Sequence, residues 1–131
     1  MNSLNDYFFI PYVENGRDEK GLDCWGLVRC VWRDVFGNGE LPLLSGVAES
    51  TAANMTRRFQ DIEPSFIESE FDEEMIACAF VGEVFVHVGI VVYADYRLWI
   101  METDKNTGVT LTQRRDFENR YSSVRYYEAK K

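Results

Sequence analysis

The residues of this sequence best suited to covalent chemistry are a cysteine at a predicted helix start and a lone histidine. Cys24 follows Asp23 and opens an amphipathic pattern that runs to about residue 36, where Gly37 and Gly39 end it. Asp23 can cap this helix, and the unpaired amides and positive dipole end of a first turn favour a thiolate over a thiol. The pattern therefore predicts Cys24 as a nucleophile.

His87 is the only histidine, and it stands at the start of the apolar segment 88–93. Such a segment is typical of a buried strand, a rigid element that can aim an imidazole. A nucleophilic cysteine needs a base within hydrogen-bond reach, and an imidazole serves because its pKa lies near neutral pH. Alternatively, Cys24 is a small core residue and His87 is structural. The two residues are distant in sequence, so only the fold can bring them together.

The elements that must position this pair follow from the apolar periodicity and the turn residues. After an irregular start, in which residues 7–10 are an apolar anchor, we predict a second helix over about residues 49–60. Strands are predicted over residues 75–80, 86–93, 98–103, 108–112 and 124–127, with a short helix over 114–120. Helices first and strands after indicate one α+β domain over residues 1–131, with the helices on one side of an antiparallel sheet.

Composition narrows the classes of partner. A net charge of −8 speaks against nucleic acid, and no apolar segment approaches the length of a membrane span. The N-terminal residues lack the basic start and apolar stretch of a signal peptide, so we expect synthesis in the cytoplasm without export by that route. Cys30 and Cys78 are interpreted as packing residues, because the cysteine spacings match neither a disulfide nor a zinc site. No metal or cofactor is predicted. An acidic stretch over residues 63–74 is either a solvated loop or a surface for a basic group.

Four separated blocks of the sequence together resemble a known family. They are Pro11–Gly16, Gly21–Val28, Leu41–Pro42 and His87–Ile90, and in order and spacing they resemble the NlpC family of cell-wall cysteine peptidases. The resemblance covers nearly the whole chain. It implies a papain-like core in which the nucleophile helix packs on the sheet that carries the histidine.

The resemblance also implies roles for individual residues. Cys24 matches the nucleophile and His87 the general base. Tyr12 matches a tyrosine that lines the active site and helps to hold the substrate or the developing oxyanion. Asp23 matches an aspartate that binds the amino end of a short peptide, although it could instead serve only as a helix cap.

Two positions depart from the pattern of the family. Its members usually carry histidine, asparagine or glutamine on the strand after the catalytic histidine, and here that position falls on Glu102. A carboxylate can accept the other ring N–H and favour the imidazolium, but the alternative is an ordinary solvated carboxylate at a strand end. Trp25 replaces a residue that is more often a small serine, and we expect its ring to narrow or reshape the substrate groove. With Arg29, Trp25 most resembles members encoded among the tail genes of bacteriophages.

These features predict a phage tail-associated cysteine endopeptidase that cuts peptidoglycan stem peptides, at the bond between D-glutamate and diaminopimelate or lysine. Its partners would be the stem peptide and other phage tail proteins, and after synthesis in the host cytoplasm it would enter the virion tail. Two alternatives remain open. In one, the domain is a structural tail-tip protein with an idle site, which Glu102 motivates. In the other, a papain-like protease or amidase acts on a protein partner, which Trp25 motivates.

Overall fold

The structure is a computed structural model that describes residues 2–42 and 52–129, with the side chains described from residue 56 in the second range. Its helices are α1 (Cys24–Cys30), α2 (Ala52–Ile62) and α3 (Arg114–Glu118). Its strands are β1 (Arg17–Asp18), β2 (Gly21–Leu22), β3 (Phe66–Ser69), β4 (Ile76–Val81), β5 (Val84–Ala94), β6 (Arg97–Asp104), β7 (Gly108–Thr112) and β8 (Ser123–Ala129). Short 3-10 helices cover Leu4–Tyr7 and Glu63–Ser65, and a π-helical turn covers Val31–Val35.

Six strands form one sheet in the order β3-β8-β4-β5-β6-β7, and every pairing in it is antiparallel. Strand β4 is buried except at Val81, and β5 is buried over residues 88–92, as their apolar composition predicts. Helix α1 packs against β5 and β6. The predicted α+β fold, with the nucleophile helix on an antiparallel sheet, is therefore confirmed.

The two faces of the sheet bury different sets of side chains. Ile76 and Cys78 lie in the larger apolar cluster with α1 and α2, whereas the alternate residues Ala77 and Ala79 lie in a second cluster with Phe117 of α3. The expectation that all helices lie on one side is therefore wrong for α3. The sequence of β4 is apolar at both alternating positions, so its second face also needs a cover.

The segment that follows Asp23 is helical as far as Val35, close to the predicted end at residue 36. Leu27, Val28 and Val31 are fully buried, as the apolar spacing indicates. The last turns are π-helical, and the N–H of Gly37 donates to the carbonyl of Arg33 where the helix ends. The predicted stop at the glycines is confirmed.

Other boundaries differ from the predictions in ways that have physical causes. The predictions do not include the strands β1, β2 and β3, because segments of two to four residues are too short to show an apolar pattern. Helix α2 ends two residues later than predicted, and the predicted positions 49–51 lie outside the described residues. Helix α3 ends at Glu118, and Asn119 caps it.

The remaining sequence interpretations concern burial. In the predicted apolar anchor, Tyr7 and Ile10 are buried, but Phe9 is 94% exposed. Cys30 and Cys78 are buried free thiols, in agreement with their interpretation as packing residues. None of the helices within the described ranges is long and apolar enough to cross a membrane.

Candidate active site

Asp23 fixes the start of the nucleophile helix. Its backbone is extended, and its Oδ1 accepts a hydrogen bond from the N–H of Gly26 at 2.8 Å, so it is the N-cap of α1 as predicted. The same oxygen lies 2.7 Å from Nη1 of Arg17, and Oδ2 accepts the N–H of Asn15 at 2.9 Å. The carboxylate is fully buried, so each of its oxygens is already engaged inside the protein.

The glycine two residues after Cys24 has a packing reason. A Cβ at Gly26 would lie 2.1 Å from the carbonyl oxygen of Gly16, which is far inside van der Waals contact. The first turn of α1 therefore sits directly on the backbone that precedes β1. This close approach fixes the position of Cys24 at the N-terminal end of α1.

His87 joins the helix to the sheet. It lies on β5 opposite Ala79 of β4, and its ring hydrogen-bonds to the side chains of Cys24 and Glu102. Burial alone would lower the pKa of His87, but the hydrogen bonds to Cys24 and Glu102 outweigh it and raise the pKa to about 9. The imidazole is therefore protonated at neutral pH.

Glu102 of β6 is the second partner of His87. Its Oε1 lies 2.9 Å from Nε2 of His87, and the residue is 2% exposed, which excludes the alternative of a solvated carboxylate. Arg120 donates to Oε1 and Thr112 donates to Oε2. Burial would raise the pKa of the Glu102 carboxyl, but the hydrogen bonds from His87, Thr112 and Arg120 hold it below its ordinary value. Its part in catalysis stays a prediction.

An aromatic pair supports the histidine from the side of α3. The His87 ring stacks on Phe117 at 5.9 Å and on Tyr121 at 6.2 Å between ring centroids. The guanidinium of Arg120 lies over the same two rings, at 5.1 Å and 5.3 Å. Sequence reasoning missed these three residues and Thr112, because no motif links their positions to His87.

Tyr12 lies beside the nucleophile. It forms an isolated parallel bridge with Leu22, the residue before Asp23. Burial, and then the nearby Cys24 and Asp23, raise the pKa of Tyr12 to about 12. Its hydroxyl is therefore a neutral hydrogen-bond donor at pH 7, and its predicted contact with substrate or oxyanion stays a prediction.

Trp25 follows the nucleophile on α1. Its side chain is 2% exposed and faces the interior with Phe59, Cys78 and Phe85, and its Nε1 donates to the carbonyl of Pro42 at 2.8 Å. An indole N–H that is buried needs such a partner. In this structure Trp25 is buried in the core, and its predicted effect on the substrate groove stays a prediction.

Comparison with solved structures, but not with family models or curated proteins, shows a similarity that bears on the fold. No family model matches the sequence, and no curated protein matches it at a significant level. Among solved structures, the chain is similar to the crystal structure of the NlpC/p60 domain of the peptidoglycan hydrolase SagA, with a TM-score of 0.59. The alignment covers 96% of this chain and 91% of that chain at 17% sequence identity. The fold is that of an NlpC/p60 domain.

The NlpC/p60 fold brings together three of the six predicted site residues as one hydrogen-bonded chain: Cys24, His87 and Glu102. Tyr12 and Asp23 lie beside the cysteine, and the side chain of Trp25 is buried in the core. Within the described ranges, no group of three or more His, Cys, Asp and Glu side chains is placed to hold a metal ion. The arrangement can form a thiolate, hold an imidazolium beside it and return the proton to a leaving group.

Proposed function

We propose that this protein is a cysteine peptidase that cleaves the peptide stems of peptidoglycan, at the bond between D-glutamate and diaminopimelate or lysine. One observation carries the proposal: His87 hydrogen-bonds to the thiol of Cys24 on one side and to the buried carboxylate of Glu102 on the other. A helix start, an imidazole and a carboxylate in this order are the parts that nucleophilic acyl transfer needs.

The chemistry follows from these parts. The Cys24 thiolate attacks the carbonyl carbon of the scissile amide, and the carbonyl oxygen becomes an oxyanion. The Cys24 backbone N–H, which lies in the first turn of α1, and the neutral Tyr12 hydroxyl stabilise that oxyanion. The His87 imidazolium then protonates the leaving amine as the C–N bond breaks, which leaves a thioester on Cys24. His87 next takes a proton from water, and the resulting hydroxide releases the acid and restores the thiolate.

The choice of peptidoglycan rests on two supports. The sequence blocks around Cys24 and His87 resemble cell-wall peptidases, and the chain is similar to a solved structure of the NlpC/p60 domain of a peptidoglycan hydrolase. Association with a phage tail, after synthesis in the host cytoplasm, is also part of the proposal. It rests on the resemblance at Trp25 and Arg29 alone.

A second candidate, a protease that acts on a protein partner, is favoured by the surroundings of Asp23. The predicted role of Asp23 is to bind the free amine of a short peptide. Its buried carboxylate is already paired with Arg17 at 2.7 Å, so an incoming amine would have to displace a guanidinium. An internal peptide bond brings no such amine and avoids this competition.

Digestion of purified sacculi and of synthetic stem tetrapeptides by the reduced protein tests the proposal, with products identified by mass spectrometry. We expect new amine termini on diaminopimelate or lysine with the wild type and none with Cys24→Ala. Cys30→Ala is the matched control, because Cys30 is a buried thiol outside the site and its removal should leave cleavage intact.

Two other results would contradict the proposal, and each would favour one of the alternative functions. Cleavage of a tail protein without cleavage of sacculi or stem peptides would favour the protease. No cleavage of any of these substrates, together with a stable tail complex that Cys24→Ala leaves unchanged, would favour the structural tail-tip alternative.

A further inference from the structure

We propose that Arg120 is a positioning residue that controls, through Glu102, how firmly the His87 imidazole is held and oriented. The geometry is direct. Nη2 of Arg120 donates to Oε1 of Glu102 at 2.5 Å, and Nε2 of His87 lies 2.9 Å from the same oxygen. Thr112 donates to the other oxygen, Oε2. The carboxylate is therefore held by groups from β5, from β7 and from the segment after α3.

The cation is itself fixed in place. Its guanidinium lies over the rings of Phe117 and Tyr121, the two rings on which His87 also stacks. One aromatic pair thus contacts both the base and the cation. The Arg120 side chain is 44% exposed, so replacing it removes the charge and the hydrogen bond without opening a cavity in the core.

The charges around the imidazole explain what this contact does. Among the residues that the structure describes, the charged or titratable groups that face this site are Cys24 from α1, Glu102 from β6, Arg120 and Tyr121 from the segment after α3, and Tyr12 beside Cys24. Asp104, at the end of β6, acts on Arg120 and Tyr121. The thiolate and the carboxylate both favour the imidazolium. Arg120 is the cation of this group, and it shares an oxygen with His87, so it offsets part of the carboxylate's pull on the proton.

This offset matters for the proposed reaction, on whose correctness this part of the inference rests. An acid that must give its proton to a leaving amine works best when its pKa lies near the working pH. Without Arg120, the Glu102 carboxylate would stabilise the protonated form of His87 more strongly. Of the two side chains that donate to this carboxylate besides His87, Thr112 would remain and Arg120 would be lost. We therefore expect Arg120→Met to lower kcat with little change in KM and to displace the alkaline limb of the pH profile upward.

The decisive experiment is an NMR titration of the His87 ring, because this sequence contains a single histidine. Arg120→Met should move the titration upward by about half to one pH unit, since the cation is partly screened by solvent, and Arg120→Lys should restore part of the shift. Glu102→Gln should move it downward by about one unit or more. Arg115→Met is the matched control, because Arg115 is an exposed arginine on α3, just before the segment that carries Arg120, and it should leave the titration unchanged.

Opposite shifts in the Arg120 and Glu102 variants would not arise from a merely structural role. An unchanged or lowered titration in both Arg120→Met and Arg120→Lys would overturn the inference. The titration needs no substrate, so it separates the two proposals. Shifts as expected without cleavage of any stem peptide refute the proposed function alone, and cleavage without the shifts refutes this inference alone.

Discussion

Nε2 of His87 lies 2.9 Å from Oε1 of Glu102, which leaves Nδ1 as the ring nitrogen for the hydrogen bond with Cys24. The ring therefore has one orientation in which both partners are satisfied. Because His87 and Glu102 lie on neighbouring strands, the backbone of the sheet sets this orientation. The reactivity of the thiol should then depend on the histidine, and the histidine on the carboxylate.

Alkylation of the three cysteines should separate the nucleophile from the packing thiols. We expect iodoacetamide to label Cys24 faster than Cys30 or Cys78, and His87→Ala to slow the labelling of Cys24 at least about tenfold, because a neighbouring imidazolium stabilises a thiolate. Burial raises the pKa of Cys30 and of Cys78, so these two thiols should stay unlabelled in the folded protein and provide internal controls. Mass spectrometry resolves the three sites. Labelling of Cys24 that is no faster than that of Cys30 or Cys78, and that His87→Ala leaves unchanged, would contradict the expected effect of His87 on Cys24.

The stability of the protein should fall as the pH rises from about 6.5 to about 9. Folding raises the pKa of His87 from 6.5 to about 9, so in this window the folded state binds more protons than the unfolded state. The stabilisation is complete below pH 6.5 and is lost as the pH passes the folded value. It amounts to at most about 3 kcal/mol, at 1.36 kcal/mol per pKa unit. Urea unfolding at several pH values measures it, and His87→Gln should flatten the dependence. Equal slopes in the two proteins would speak against this origin.

Gly89→Ala should disturb the site from within the sheet. A Cβ at Gly89 would lie 2.6 Å from Cγ2 of Ile100 and 2.9 Å from the carbonyl oxygen of Met101, next to Glu102. We expect a loss of about 1–3 kcal/mol, since the clash involves backbone that cannot move freely. The chemical shift of the His87 ring should also change, because Glu102 must move with β6. A stable variant with an unchanged histidine signal would contradict the packing described here.

Asp23→Ala should be among the most destabilising changes near the site. It removes the cap of α1 and leaves Arg17, whose side chain is 15% exposed, without its carboxylate. Removal of one partner of a buried ion pair typically costs about 3–5 kcal/mol of folding stability. The measured loss would also include the loss of the helix cap. Asp6→Ala is the matched control, because Asp6 is an exposed aspartate that accepts a hydrogen bond from the backbone N–H of the capping residue Ser3. This substitution should cost less than about 1 kcal/mol of folding stability. Chemical denaturation of both variants gives the comparison.

Trp25→Phe should change stability and leave the chemistry alone. The phenyl ring keeps most of the packing but loses the hydrogen bond to Pro42, and we expect a cost of about 1–2 kcal/mol. The rate of Cys24 alkylation and the preference among cleaved stem peptides should remain as in the wild type. A changed substrate preference at unchanged stability would instead support a role in the groove.

The sequence alone determined the features that depend on neighbours along the chain. Asp23 caps the helix through the N–H of Gly26, three residues away, and the apolar spacing of Leu27, Val28 and Val31 places one face of that helix in the core. The central strands are likewise evident from uninterrupted apolar segments. Interactions of this kind are contained within one or two turns or one strand, so residue types and spacing suffice to predict them.

The tertiary structure alone decided which distant groups meet. Strand register and the return of α3 across the second face bring Thr112 and Arg120 to the carboxylate of Glu102. The fold also pairs Arg17 with Asp23 and turns Trp25 into the core. Strand register, and the face of the sheet that each side chain covers, depend on the packing of the whole sheet. The central strands are apolar at both alternating sets of positions, so the spacing of their apolar residues does not fix which face each residue covers. For this reason Cys24 and His87 could be selected from the sequence as candidate site residues, whereas the contacts that hold His87 and Glu102 could not be predicted.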